Sequence, residues 1–217
     1  MMKKLLFIAL MALGWPAVGQ QDPEAKKLLD KVSEATKSNE NIALDFSVTL
    51  ENKSANIPAS TMSGKILISG EKYRLELEGN EQISNGERIW RVLRDDEVVE
   101  TMSVDDLEEE GLTPSRLLTM YESGFKYKMG DRKAHRMHEV QLIYLFPEDA
   151  SSAPYTSIEL AIDVQTNQIV YLMEKGKDGT ITTYEIVTFR TNVDAPASAF
   201  AFDKTKYLGF EIIDVGF

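Results

Sequence analysis

The chain has 217 residues, a formal net charge of −11 and no cysteine, and its length suits one domain of ordinary size. The lack of cysteine excludes disulfides, thiolate metal sites, a cysteine nucleophile and a lipid-modified amino-terminal cysteine. The negative charge repels phosphate backbones, so nucleic acid is not an expected partner.

The first 19 residues have the pattern of a secretory signal peptide. Basic Lys3 and Lys4 precede the apolar run LLFIALMAL, and Ala17-Val18-Gly19 offers small residues to a signal peptidase. The run is shorter than the roughly 20 apolar residues of a membrane-spanning helix. We therefore expect a secreted chain, residues 20–217, that forms a single domain. Its net charge is −13, because residues 1–19 contain two lysines and no acidic residue.

Two helices are predicted. Asp22 suits the N-cap and Pro23 the first helical position, and apolar residues then recur with helical spacing up to about residue 37. Thr113 and Pro114 begin the second helix in the same way, and Gly124 suits its end. The apolar residues of this second helix are Leu117, Leu118, Met120 and Tyr121.

Most of the remaining sequence alternates with a period of two, which predicts β-strands. Asn85-Gly86 is the firmest turn, because Asn-Gly accepts the positive φ angles of a two-residue hairpin. The segment 51–60 is polar and contains Pro58, so a loop is expected there. The predicted strands are 42–50, 64–69, 72–78, 81–84, 87–93, 97–102, 125–129, 137–146, 157–163, 169–175 and 181–190.

A row of about ten strands must close or be covered, because exposed edges and a bare apolar face favour aggregation. We expect a mainly β (α+β) fold: a single curved antiparallel sheet that forms an incomplete β-barrel covered by two or three helices. The aromatic tail around Phe200 to Phe210 is expected to pack back on the sheet.

No motif indicates catalysis. His135 and His138 lie where the chain enters a strand and are expected to be exposed loop residues. The acidic run Asp105 to Glu110 lacks the spacing of a calcium loop. Nucleotide-binding and serine-hydrolase motifs are absent from the sequence. A carboxylate pair for hydrolysis stays open, although nothing marks one. We expect a protein that is not an enzyme and uses neither cofactor nor metal.

Four phrases in order give the chain a resemblance to the LolA family, the periplasmic carriers of outer-membrane lipoproteins. They are NIALDFSVTL, SGKILISGEKYRLEL, QISNGERIWRVL and DAPASAFAFDKTKYLGFEIID. The resemblance covers nearly the whole mature chain. It departs from the family's Arg-Pro before the third strand, where this chain has Ser69 and Gly70, while Arg74 matches a family arginine.

The resemblance implies an unclosed barrel in the periplasm whose concave apolar face, covered by helices, binds the acyl chains of triacylated lipoproteins. It also implies an inner-membrane ATP-driven exporter as donor, an outer-membrane acceptor or the outer membrane as destination, and a monomeric carrier. Strand alternation and the helix stripe suggest the cavity residues. They are Leu44, Phe46, Val48, Ile66, Ile68, Tyr73, Leu75, Leu77, Trp90, Val92, Leu117, Leu118 and Tyr121.

Two other functions fit the sequence. A lipid- or lipoprotein-sensing module of the same architecture would bind but not transport. A secreted hydrolase would need a carboxylate pair that the sequence does not identify.

Overall fold

The computed structural model describes residues 21–106 and 118–216. The predicted signal peptide, Leu117 and residues 107–110 of the acidic run lie outside these ranges. Within them, no helix combines the length and the apolar character needed to cross a membrane.

The first helix, α1 (Pro23–Lys37), begins where the sequence predicts it. The Asp22 carboxylate accepts hydrogen bonds from the backbone N–H groups of Glu24 and Ala25 at 3.0 and 3.2 Å. These bonds satisfy two donors that the first turn of a helix leaves free. Leu29 and Val32 are buried on one face of α1, which therefore packs on the sheet.

Twelve strands of the described residues form one sheet. They are β1 (Ile42–Asn52), β2 (Ile57–Ser69), β3 (Lys72–Leu77), β4 (Asn80–Asn85), β5 (Arg88–Leu93), β6 (Val98–Ser103), β7 (Phe125–His135), β8 (His138–Pro147), β9 (Tyr155–Asp163), β10 (Ile169–Gly176), β11 (Ile181–Thr191) and β12 (Glu211–Asp214). Their order is β12-β6-β5-β4-β3-β2-β1-β11-β10-β9-β8-β7. The end strands β12 and β7 do not pair, so the predicted incomplete barrel is confirmed.

Two consecutive meanders, β1–β6 and β7–β11, build this sheet. Antiparallel pairing of β1 with β11 joins them, for example at Leu44 with Phe189 and Val48 with Tyr184. All neighbouring strands described are antiparallel except β12, which lies parallel to β6. The expectation of a wholly antiparallel sheet is therefore wrong at this one edge.

The predicted loop 51–60 is wrong, because β1 continues to Asn52 and β2 already begins at Ile57. Pro58 is tolerated because this end of β2 pairs only with β1, across a bulge near Leu50, and β3 pairs with β2 only from Gly64 onward. The second predicted helix is also altered. In its described part, Met120–Glu122 forms a short 3-10 turn.

The turn at Asn85-Gly86 and the two histidines differ in detail from the prediction. The β4–β5 hairpin turns where expected, but only Gly86 has a positive φ, and the Asn85 side chain instead accepts hydrogen bonds from the backbone of Glu87 and Arg88. His135 and His138 end paired strands rather than lying in a loop. The side chain of His135 is 28% exposed and contacts the Glu185 carboxylate. The side chain of His138 is 48% exposed and contacts the Asp163 carboxylate.

The main core lies between α1 and one face of the sheet, which we call the inner face. Side chains from both meanders meet there, which requires the sheet to curve around them. The buried members include Leu29, Val32, Ile42, Leu44, Ile66, Ile68, Tyr73, Ile143, Leu145, Ile158, Leu160, Ile162 and Leu172.

The opposite, outer face is covered at β3–β6 by the carboxyl-terminal tail, as the sequence predicts. Trp90, Val92 and Val99 contact Phe202, Tyr207 and Phe210, a set that we call the tail cluster. The ring centroids of Trp90 and Phe202 are 5.5 Å apart, and those of Phe202 and Tyr207 are 5.2 Å apart, both pairs being stacked.

This packing corrects the placement of Trp90 and Val92, which were predicted on the concave face. Tyr73 pairs with Ser84, and Ser84 pairs with Ile89, so these three residues share the inner face. Trp90 and Val92 lie on the outer face, because Trp90 directly follows Ile89 and Val92 is two residues further along β5. The sequence pattern predicts the wrong face here because the outer-face residues that the tail covers are apolar as well.

Candidate functional site

An apolar cavity of about 150 Å³ lies on the inner face. Its walls come from β1, β2, β3, β10 and β11, together with Leu118 from the segment that precedes β7. The lining side chains are Leu44, Phe46, Val48, Ile66, Ile68, Leu75, Leu77, Leu118, Ile169, Leu172, Tyr184 and Ile186. Apart from the Tyr184 hydroxyl, these side chains are pure hydrocarbon, so the cavity suits an apolar ligand.

Strand register explains why these residues converge. Ile66 pairs with both Leu44 and Leu75, and Val48 pairs with Tyr184, which pairs with Leu172. Partners in an antiparallel pair point to the same face, so each row of partners crosses several strands on the inner face. These two rows give six of the twelve lining residues, and the row between them adds Phe46, Leu77 and Ile186.

A close approach of strands shapes one wall. Gly64 pairs with Phe46 and with Leu77, and a Cβ atom built on Gly64 would lie 2.6 Å from Cζ of Phe46. Only glycine leaves this space to the Phe46 ring. The ring can therefore lie across β2 at the boundary of the cavity.

Eight predicted residues line the cavity: Leu44, Phe46, Val48, Ile66, Ile68, Leu75, Leu77 and Leu118. Tyr73 and Tyr121 belong to the surrounding core instead and are each 1% exposed. Trp90 and Val92 lie on the other face, and Leu117 is outside the described residues. Whether any of these residues binds a ligand stays a prediction.

Four lining residues were missed, namely Ile169, Leu172, Tyr184 and Ile186. They occupy strands that the sequence predicts, and Tyr184 and Ile186 show the alternation of one face. Their link to β1 depends on the pairing of β1 with β11, far apart in sequence. Alternation within a strand gives no information about such a partner.

Buried tyrosines around the cavity carry raised pKa values. Burial raises the pKa of Tyr73, although the nearby charge of Arg91 and a hydrogen bond with Gln82 oppose this effect. The Gln82 Nε2 group donates to the Tyr73 hydroxyl at 2.9 Å. Burial also raises the pKa of Tyr184. Both phenols therefore stay neutral at physiological pH, as an apolar environment favours.

Polar contacts hold α1 over the inner face at both ends. At its start, the second oxygen of the Asp22 carboxylate accepts a hydrogen bond from the backbone N–H of Met129 on β7, at 3.0 Å. Towards its end, Lys37 Nζ lies 2.8 Å from the Glu122 carboxylate, which also accepts from Ser33 Oγ at 2.5 Å. The contacts with Glu122 are exposed, where each is worth little, whereas the bond between Asp22 and Met129 is partly buried.

Ser69 stands where the LolA family has its arginine. Its hydroxyl donates to the carbonyl oxygen of Glu40 at 3.0 Å, in the segment that follows α1. Gly70, at the proline position, has a φ of +58° and turns the chain into β3. A neutral hydroxyl thus contacts the chain beside α1 at this position.

Comparison with solved structures shows the fold. An uncharacterized conserved protein from Thermus thermophilus is 10% identical, with a TM-score of 0.56 over 88% of this chain and 99% of that chain. A LolA superfamily protein from Nitrosomonas europaea is 10% identical, with a TM-score of 0.46 over 83% of this chain and 98% of that one. A putative outer membrane lipoprotein-sorting protein domain from Vibrio parahaemolyticus is 12% identical, with a TM-score of 0.45 over 84% and 99%.

The fold assignment rests on the Thermus protein and on the sheet itself, because the other two TM-scores are below 0.5. No protein-family model matches the sequence, and no curated protein is significantly similar to it.

Proposed function

We propose that this protein is a carrier that binds lipoprotein acyl chains in the inner-face cavity and ferries lipoproteins from the inner to the outer membrane. The observation that supports it most is the cavity itself, which has hydrocarbon walls on the inner face of a curved sheet. Protein interiors rarely contain voids larger than a water molecule, so an apolar space of this size favours a ligand.

Loading must widen the cavity. A space of about 150 Å³ accepts a molecule of roughly benzene size, far smaller than a fatty acyl chain. The described structure is therefore the unloaded form under this proposal. The helix α1 and the Leu118 segment cover the inner face, so their movement away from the sheet would expose room for chains.

The energies permit such a movement. Leu29 and Val32 are the large side chains that α1 buries, at roughly 1.5–3 kcal/mol each. An acyl chain gains about 0.8 kcal/mol for each buried methylene group. Burial of about eight methylene groups thus offsets the loss of these helix contacts. Competition between α1 and the chain for one surface would keep binding reversible.

The wider role follows the family resemblance. The proposal places the mature protein in the periplasm, after removal of residues 1–19, as a monomer that binds cargo without catalysis or cofactor. It receives triacylated lipoproteins from an inner-membrane ATP-driven exporter and passes them to an outer-membrane acceptor or to the outer membrane. The net charge of −13 fits a protein that must leave anionic membrane surfaces.

Native mass spectrometry tests the proposal. The protein would be purified from periplasm after co-expression with a model triacylated lipoprotein, and we expect a one-to-one complex. Leu75→Glu places a charge in the cavity wall and should abolish the complex, because a carboxylate is not buried beside an alkyl chain without a partner.

Val187→Glu is the matched control. Val187 alternates with cavity-lining Ile186 on β11 and is 55% exposed, so the same substitution there should leave the complex intact. Circular dichroism would verify that both variants fold. Wild-type protein that stays free of cargo while the exporter is active would contradict the carrier role, and binding without transfer would favour a sensing module.

A further inference from the structure

A second space, of about 260 Å³, adjoins the cavity beyond the end of α1. We call it the polar pocket; it is lined by the end of α1, residues 39–42, Ile68, the Gly70-Glu71 turn and the pair Leu118-Thr119. Ile68 and Leu118 also line the cavity, so these two side chains lie at the boundary between the two spaces. A ligand that extends beyond them therefore leaves hydrocarbon walls for polar ones.

The polar residues of this pocket are graded by exposure. Those without charge are buried or half-buried: Thr36, Asn39, Asn41 and Thr119. Those with charge are all exposed: Lys37, Glu40 and Glu71. Hydroxyl and amide groups therefore lie closer to the protein interior than the charges do.

Two of the uncharged side chains have hydrogen-bonding capacity left. The Asn39 Nδ2 group donates to the carbonyl oxygen of Ala35 at 2.7 Å, which leaves its second N–H to give. Among the described residues, the Thr119 hydroxyl has no hydrogen-bond partner. Asn41 differs, because it donates to the carbonyl oxygen of Val193 at 3.0 Å and accepts from the Val193 N–H at 2.9 Å. The pocket can thus donate hydrogen bonds to a ligand, while Asn41 holds its wall in place.

One wall of the polar pocket is tied to the sheet and another is not. The Ser69 hydroxyl donates to the carbonyl oxygen of Glu40 at 3.0 Å, which attaches residues 39–42 to the end of β2. Leu118 and Thr119 precede a 3-10 turn and take part in none of the described strand pairs. Displacement of Leu118 would therefore join the cavity to the polar pocket without breaking hydrogen bonds between strands.

The cavity has another neighbour of different chemistry. An open groove of about 680 Å³ shares Phe46 and Leu77 with the cavity. Most of its polar side chains are charged, namely Asp45, Lys65, Glu76, Glu78, Glu81 and Arg94. Phe46 and Leu77 belong to paired strands, and the Phe46 ring lies over Gly64, so this boundary is part of the sheet. The polar pocket is the neighbour that suits an uncharged polar group.

We propose that the polar pocket binds the uncharged ester and amide groups that join the acyl chains of the cargo to its peptide. This inference rests on the proposed function and assigns a place to the part of a triacylated lipoprotein that is not hydrocarbon. Ester and amide oxygens accept hydrogen bonds, which Asn39 and Thr119 can donate.

The two spaces divide the ligand by its chemistry. An ester or amide that is buried without a hydrogen bond costs free energy, so the hydrocarbon walls of the cavity accept the chains and disfavour these groups. The polar pocket lies directly across Ile68 and Leu118 and offers partners for them. The peptide then continues past the exposed Lys37, Glu40 and Glu71 into solvent.

Photo-crosslinking tests the location directly. A synthetic triacylated lipopeptide with a diazirine side chain on the residue after its acylated cysteine would be bound to the mature protein and irradiated. We expect cross-links, mapped by mass spectrometry, at residues 36–41, 70–71 and 118–119. Cross-links that avoid these residues, for example at residues 76–81 of the open groove, would overturn the inference and leave the carrier proposal intact.

A matched pair of tryptophan substitutions tests the pocket by affinity. Glu71→Trp and Glu76→Trp each replace an exposed glutamate, the first in the polar pocket and the second in the open groove. Isothermal titration calorimetry would use two probes of equal chain length below their aggregation concentrations. They are N-dodecanoylglycinamide, which has an uncharged head with two amides, and dodecanol, which has none.

Glu71→Trp should weaken binding of the amide probe about fivefold or more, because the indole occupies the space of the head group and one or two hydrogen bonds are lost. Dodecanol affinity should stay unchanged, because the chain needs only the cavity. Glu76→Trp should change neither affinity.

The outcomes separate the two proposals. Binding of the amide probe by Glu71→Trp with wild-type affinity would contradict the role of the polar pocket and leave the carrier proposal intact. No binding of either probe or of the lipopeptide by the wild-type protein would contradict both. Circular dichroism of the two variants verifies that they fold.

Discussion

The cavity and the tail cluster are both apolar sets on the same sheet, yet they are filled differently. In the tail cluster, the Phe202 ring stacks between those of Trp90 and Tyr207, at 5.5 and 5.2 Å. The cavity, on the inner face, retains about 150 Å³ of space between its side chains. The protein therefore fills one apolar surface with its own tail and leaves the other incompletely filled.

The tail and α1 also differ in their polar contacts with the sheet. Arg74 on β3 donates through Nε to the carbonyl oxygen of Ala199 at 2.7 Å and forms an ion pair with Glu81 at the same distance. The Tyr207 hydroxyl donates to Glu81 at 3.1 Å. The polar contacts of α1, from Asp22 to Met129 and from Lys37 and Ser33 to Glu122, lie at its two ends and not along its length. The tail is therefore packed against the outer face, and under the carrier proposal α1 is the element that moves.

Truncation of a tail-cluster side chain should destabilise the protein more than any other change considered below. Tyr207 is 5% exposed and stacks on Phe202, so Tyr207→Ala should lower the free energy of unfolding by about 3 kcal/mol. Urea unfolding followed by tryptophan fluorescence measures the change. Leu208→Ala is the control, because Leu208 is 81% exposed and its truncation should change stability by no more than about 0.5 kcal/mol. Equal small losses in both variants would indicate a loosely attached tail.

The second effect is on ligand binding. Val48→Phe adds a ring to the cavity wall and should weaken dodecanol binding about tenfold or more, because it occupies the space of the chain. Since the ring enters existing space, the free energy of unfolding should change by less than about 1.5 kcal/mol. Calorimetry and urea unfolding measure the two quantities. Val187→Phe, on the exposed face of β11, should change neither, and unaltered binding by Val48→Phe would argue against the cavity.

The third effect concerns the attachment of α1 at low pH. A hydrogen bond from the backbone of Met129, followed by that from Ala25, lowers the pKa of Asp22 below its ordinary value of 3.8. The folded-state pKa is depressed, so this contribution to stability is present above pH 3.8 and is lost as the pH falls through the lower folded value. The melting temperature of Asp22→Asn should therefore depend less on pH than that of the wild type between about pH 4 and pH 2.

Glu24→Gln is the control for this experiment, since Glu24 also lies in the first turn of α1 but receives none of these side-chain bonds. A pH profile of Asp22→Asn identical to that of the wild type would show that Asp22 does not attach α1 to β7.

The smallest effect is expected at Ser69. Ser69→Ala removes its hydrogen bond to Glu40 and should reduce the free energy of unfolding by about 1 kcal/mol or less. Dodecanol affinity should stay unchanged, because Ser69 does not line the cavity. A large change in affinity would instead show that this position influences the movement of α1.

Local patterns in the sequence predict most of the strands, because each strand buries one face and alternates accordingly. The β1 alternation from Ile42 to Leu50 and the Asp22-Pro23 start of α1 are confirmed. The incorrect predictions concern features that depend on contacts between separate segments of the chain. Pro58 lies within a strand because only one neighbour needs its backbone there, and that neighbour is not apparent from the segment itself.

The cavity could be predicted only in part for the same reason. Leu44, Ile66 and Leu75 lie on consecutive strands joined by hairpins, so their common face follows from short-range pairing. Leu172 and Ile186 join them through the contact between β1 and β11. Trp90 was misplaced because apolar residues occur on both faces, and the sequence pattern does not reveal which face the tail covers.

The carrier proposal requires that an acyl chain occupies the inner-face cavity and not the tail cluster. Methyl-labelled protein mixed with a synthetic triacylated lipopeptide would test it by nuclear Overhauser contacts between chain and side-chain methyl groups. We expect contacts with Leu44, Leu172 and Ile186, and none with Val92 or Val99. Contacts confined to Val92 and Val99, or none with any methyl group of the cavity, would contradict the claim.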